Sequence, residues 1–215
     1  MRGRHFLVVW ALVFGAMRAV SAQTSDPASG GFHCPKPTTI MTFSTGAQLI
    51  ALRSIDHGCA FKFGNQELEF YSAMLEPKGL ADPANRAKAE SLWPLTVGKV
   101  VEFNDDPGMM TTLTRQVYVS RKITLTVVSH EPINIKAGRF DVYAIDVRLE
   151  ATVNISSRAD FVRVIRYYYA PVVGMFVRAE IREGLEDPPL LMGLASQLQP
   201  SSLIRDFEAT SISTP

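Results

Sequence analysis

The chain has 215 residues, with 22 basic and 21 acidic side chains, a formal charge of +1 and 47% hydrophobic residues. A chain of this size buries a real core and fits one domain better than two, and the absence of any basic cluster that would neutralise a run of phosphates argues against a nucleic-acid partner. Nothing repeats at the period of a solenoid or a propeller.

At the start stand the three parts of an export signal in order. Met1 to His5 is basic, Phe6 to Met17 is apolar, and Val20-Ser21-Ala22 offers small residues for a cut after Ala22. The apolar run is about half of the roughly 20 residues that a spanning helix needs, and Arg18 closes it, so no permanent membrane anchor is expected. No cysteine follows the cut closely enough to take a lipid. Residues 1–22 are therefore read as a cleaved signal peptide, and the rest as a soluble protein of the bacterial periplasm. The cut also removes Arg2, Arg4 and Arg18, which turns the charge of +1 into −2.

Residues 23–31, rich in Ser, Gly, Pro and Asp, read as a flexible leader, and a single antiparallel β domain is expected over 32–215. Cys34 and Cys59 are the 2 cysteines of the chain. In an oxidising compartment such a pair is most simply a disulfide, and closing that loop stabilises the fold by about 3.5 kcal/mol in the chain-entropy picture. The competing readings are a redox or zinc site, the latter built with the neighbouring His33 and His57 although the usual Cys-x-x-Cys spacing is missing, and two free thiols.

The first helix is expected from Asp82, as N-cap before Pro83, through Ala84 to Leu92, with Pro94 ending it. Beyond it, short β-branched and aromatic runs alternate with polar residues. Ile123, Leu125 and Val127 alternate with Lys122, Thr124 and Thr126; the same pattern runs from Tyr143 to Val153 and from Met175 to Arg182. Ala137-Gly138 and Ala170 to Gly174 supply turns. Asp105-Asp106 before Pro107-Gly108 reads as a polar turn, and Asn154 begins a glycosylation sequon that carries little meaning in a bacterial envelope. A second helix is expected after Asp187-Pro188, with Leu190, Leu191, Leu194 and Leu198 on one face. The whole predicts a mainly β fold: a curved or half-closed antiparallel sheet of about eight to ten strands in meander order, with one or two short helices.

Three segments carry a resemblance. Leu92-Trp93-Pro94-Leu95-Thr96-Val97-Gly98-Lys99, then Ile133 to Phe140 around Ala137-Gly138, then Tyr168-Tyr169-Ala170-Pro171-Val172-Val173-Gly174 together resemble exported proteobacterial β-rich proteins classed as domains of unknown function. The resemblance spans roughly residues 90 to 182. It implies antiparallel strands in a curved sheet and no established activity, and it carries over no catalytic residue.

Few residues of the chain stand in patterns that carry chemistry. Catalytic signatures of nucleophilic hydrolases, His-Glu-x-x-His metalloproteases and phosphate-cradling loops are absent, and no cofactor or metal is implied. Arg163-Val164-Ile165-Arg166-Tyr167-Tyr168-Tyr169 is the unusual stretch. On a strand, Arg163, Tyr167 and Tyr169 share one face, which reads either as a packed central strand or as the aromatic wall of an apolar cleft with an arginine at its mouth. The sequence therefore predicts a non-enzymatic envelope protein that binds an apolar small molecule or a partner protein. A structural or assembly component recruiting its partner at a sheet edge is the first alternative. The second is a hydrolase whose carboxylates, from among Asp141, Asp146, Asp160 and Glu180, are assembled by the fold.

Overall fold

The computed structural model describes residues 31–56, 58–71, 82–111, 116–154, 158–183 and 206–215. The expected signal peptide, nearly all of the leader, His57 and the second expected helix lie outside these residues. The elements are β1 (Ile40–Phe43), β2 (Gln48–Ile55), β3 (Gly58–Phe63), β4 (Gln66–Tyr71), α1 (Pro83–Glu90), β5 (Val100–Thr111), β6 (Gln116–Ile135), β7 (Gly138–Asn154), β8 (Arg158–Ala170), β9 (Met175–Glu183) and β10 (Phe207–Ser213).

All ten strands form one antiparallel sheet in the order β4-β3-β2-β1-β10-β9-β8-β7-β6-β5. A simple meander would place β5 beside β4; instead these two strands end opposite sides of the sheet. The chain steps outward from β1 to β4, reappears at the far side, and steps back inward until β10 pairs with β1. Within each run the expected neighbour pairing holds, and from β1 to β4 and from β5 to β9 consecutive strands are also close along the chain, whereas β10 follows β9 only after residues 184–206.

Alternation decides which face is buried. Leu125 and Val127 of β6, Ile145 of β7, Tyr167 of β8 and Ala179 of β9 lie on the inner side and are buried. Thr124, Arg148, Arg166 and Glu180 occupy the phase between them and stay partly exposed. The sheet is curved. Ala137, at the tip of the β6–β7 hairpin, donates its N–H to the carbonyl of Ala209 on β10 at 3.1 Å. A flat sheet would hold β7 and β10, three places apart in the order, roughly 14 Å from each other. A register shift between Val127 and Ser129 lies where the hairpin leaves the rest of the sheet.

Helix α1 begins as the sequence predicts, with the Asp82 carboxylate accepting the N–H of Ala84 at 2.9 Å and Pro83 in the first turn. It ends at Glu90 rather than Leu92, because Ser91 caps it, its N–H reaching the carbonyls of Ala87 and Lys88 at 3.0 Å. Released from the helix, Leu92, Trp93 and Leu95 enter the core. Asp105 and Asp106 correct another expectation: they lie inside β5, not in a turn between strands. A bulge between Asp105 and Gly108 accommodates Pro107, which has no N–H to give the ladder, and pairing with β6 resumes at Gly108.

Cys34 and Cys59 form a disulfide, which leaves neither thiolate for a metal. The bond joins β3 to the segment that enters the domain. That segment lies on the β8–β9 turn, where His33 Nε2 sits 2.7 Å from the carbonyl of Pro171. Gly174 has φ +76°, and a Cβ there would come within 2.9 Å of the Cys34 carbonyl carbon.

Candidate functional site

The tyrosine strand behaves as its spacing predicts, but its inner face is covered by the chain itself. Tyr169 is 0% exposed. Trp93 stands edge-on to it with ring centroids 4.8 Å apart, and Phe32 and Phe176 follow at 6.4 and 5.9 Å. Tyr167 packs on Phe176 at 4.8 Å. The Tyr169 hydroxyl donates to the His33 carbonyl at 3.3 Å, so the buried phenol is satisfied, and burial raises its pKa above the ordinary range. Trp93 and Phe32 are the residues that sequence reasoning missed here. Their apolar character was visible, but nothing local says which strand they cover.

Arg163 shares the inner face, though not the place. Six residues separate it from Tyr169, so at about 3.3 Å per residue the two backbones lie roughly 20 Å apart. Arg163 faces Leu149 across β7, and Arg121 of β6 faces Ala151 one step further along the same face. The two arginines therefore mark the opposite end of the inner face from the aromatic cluster. The only sequence signal for Arg121 was its phase with Ile123.

The outer face of β7, β8 and β9 carries an ionic network. Arg166 forks onto Asp146, Nε to Oδ1 at 2.7 Å and Nη2 to Oδ2 at 2.8 Å. That hydrogen bonding raises the guanidinium pKa further, against the lowering effect of burial. Glu180 accepts from the Tyr168 hydroxyl at 3.2 Å and pairs with Arg178 and Arg182, while the Arg178 guanidinium lies 5.4 Å over the Tyr168 ring. Asp146 and Glu180 both stand beside Arg166 in register, one on either side, so their strands lie roughly 10 Å apart with a guanidinium between them. Asp160 accepts from Thr152 at 2.7 Å, and Asp141 is exposed. The four carboxylates singled out in the sequence are thus spread over a water-facing surface.

The two sheet edges differ. On the β5 side, α1 lies alongside, and Asn85, only 6% exposed, donates its side-chain amide to the Asn104 carbonyl at 2.9 Å. The bulge with Pro107 blunts the rest of that edge. On the β4 side, no described residue pairs beyond Gln66–Tyr71. Leu68 and Phe70 turn inward there, and Glu67 and Glu69 turn outward, Glu67 bonding Arg53 at 2.5 Å.

Among the described residues no helix is long and apolar enough to cross a membrane, and no group of three or more His, Cys, Asp or Glu side chains is placed to hold a metal. The chain is similar in structure to the hypothetical lipoprotein YmcC from Escherichia coli K12, at 14% identity and a TM-score of 0.38, over 68% of this chain and 79% of that one. It is also similar to a Bacteroides fragilis protein with a YmcC-like fold, at 13% identity and a TM-score of 0.32, over 86% of this chain and 99% of the other. No family model matches the sequence, and no curated protein matches it.

Proposed function

We propose that this is an exported, non-enzymatic protein of the periplasm that recruits another polypeptide by adding a strand to its sheet. The observation that carries the reading is the unequal treatment of the two edges. A helix, a buried asparagine and a proline bulge guard β5, whereas β4 presents its outer row of peptide groups with no described partner. Sheet edges attract strands, and a fold that guards one edge so thoroughly leaves the other as the place for an intended guest. An apolar ligand against Tyr167 and Tyr169 has less support, because Trp93, Phe32 and Phe176 already occupy that wall. Export is supported by the tripartite N-terminus and by the disulfide.

The experiment is site-specific photo-crosslinking in intact cells, with the photoreactive residue placed either at Gln66 on the β4 edge or at Thr124 on the outer face. A discrete adduct from Gln66 and none from Thr124 is the expected result, with the processed chain beginning at Gln23 in the periplasmic fraction. Adducts from neither position would remove the case for strand addition.

A further inference from the structure

We propose that the β4 edge selects an extended segment in which basic side chains alternate with apolar ones; this deepens the strand-addition reading and rests on it. β4 reads Gln66-Glu67-Leu68-Glu69-Phe70-Tyr71. Its glutamates share the outer face, and Leu68 and Phe70 share the inner one. In an antiparallel ladder, residues directly opposite one another point to the same side of the sheet. A guest strand must therefore set one series of side chains beside Glu67 and Glu69 and the other beside Leu68 and Phe70. Phe70 is already buried, but Leu68, paired with Phe61 of β3, is only half-buried, so an apolar guest residue opposite it extends the core.

The same geometry tells against a second copy of the chain. If two β4 strands pair antiparallel about Leu68, Glu67 of each copy faces Glu69 of the other. If they pair about Glu69, that glutamate faces itself. The register between these two sets Leu68 beside Glu69 and mixes the apolar with the charged face. Like charges directly opposite destabilise a ladder, and opposite charges stabilise it. On the inner neighbour β3, Lys62 already stands opposite Glu67, the arrangement that a basic guest would repeat on the other side.

The test uses the processed full chain and two short synthetic peptides, one alternating valine with lysine and one alternating valine with glutamate. Binding is followed by fluorescence anisotropy at low and high salt, and its place by amide shifts of residues 66–71. The expected result is binding at β4 with roughly tenfold preference for the lysine peptide, a preference that shrinks in high salt and is lost in the variant Glu69→Lys, where one base and the remaining Glu67 share the outer face. Equal binding of both peptides at β4 would leave strand addition standing and overturn the basic guest. If neither peptide perturbs residues 66–71, or if their outward amides are already protected from exchange in the protein alone, strand addition at this edge is itself overturned. Concentration-dependent self-association through β4 would assign the edge to a second copy and likewise overturn the proposal.

Discussion

Gly174 and Tyr169 show how much one position depends on the segment laid over it. At Gly174 two penalties coincide: φ of +76°, which side chains other than glycine rarely adopt, and the Cys34 backbone 2.9 Å from where a Cβ would lie. Gly174→Ala is expected to destabilise the protein by about 2 to 4 kcal/mol, since backbone cannot yield as the end of a flexible side chain can. Gly46→Ala, at φ +81° with nothing within 4 Å of its Cβ, is expected to cost about 1 kcal/mol. Paired denaturant melts measure the difference, and equal losses would mean that the close approach to Cys34 is not constraining. Tyr169 makes a prediction about alkali. Burial raises the pKa of its phenol above the ordinary value of 10.0, so the folded chain keeps the proton where the unfolded chain loses it. The associated stability is fully present below pH 10 and drains away above it, at up to about 1.4 kcal/mol per pH unit. Urea melts between pH 8 and 11 should therefore show a shallower alkaline loss in Tyr169→Phe than in the native chain. The glycines at the turns were legible in the sequence, since Gly98, Gly138 and Gly174 all take positive φ. The cover over Tyr169 was not, because Phe32 and Trp93 lie far from it along the chain.

At the scale of elements, period-two alternation placed β6, β7 and β9, and an aspartate before a proline placed the start of α1. The hidden part was β5. Its Asp105-Asp106-Pro107-Gly108 has the composition of a turn, yet β6 supplies pairing on both sides of a bulge, and tertiary partners overrode the local preference. The role of α1 was hidden too, because a helix of this length with an exposed, polar surface gives no sign that it borders a strand. Asn85 is the residue through which it does so. Asn85→Ala would leave the Asn104 carbonyl without this donor and loosen α1 from the β5 edge, at an expected cost of about 1 to 2 kcal/mol. The more telling consequence is association, because an uncovered edge invites strands from other copies. Sedimentation velocity over a range of concentrations should find the variant self-associating where the native chain does not; a variant that is merely less stable would show that the bulge and Pro107 guard the edge unaided.

The whole molecule is two runs of strands, β1 to β4 and β5 to β10, meeting where β10 joins β1. There the register runs from Ile40 with Ser213 to Phe43 with Ala209, while on its other side β10 holds β9 by a short register, Phe207 with Ala179 and Glu208 with Arg178. The sequence gives no hint of this meeting, since the first and last strands of the chain come together and no local pattern encodes so distant a pairing. It does give the bond that spans it. Cys34 belongs to the segment held against the β8–β9 turn by His33 and Gly174, and Cys59 belongs to β3 in the other run. The disulfide therefore closes a loop with a sequence separation of 25 and also ties the two runs together beside their shared hydrophobic core. Replacing Cys34 and Cys59 with serine should cost about 3.5 kcal/mol, less any strain that the bond imposes. The core residues and ladders on both sides remain, so the far-ultraviolet circular dichroism of the variant should match that of the native protein while its melting temperature falls. If the loss came only from the unfolded chain, Phe32 would stay on Trp93 in the folded variant and the indole fluorescence would be unchanged. If the bond also holds the entering segment in place, tryptophan emission should shift to the red before unfolding begins, because Trp93 would lose the ring that covers it.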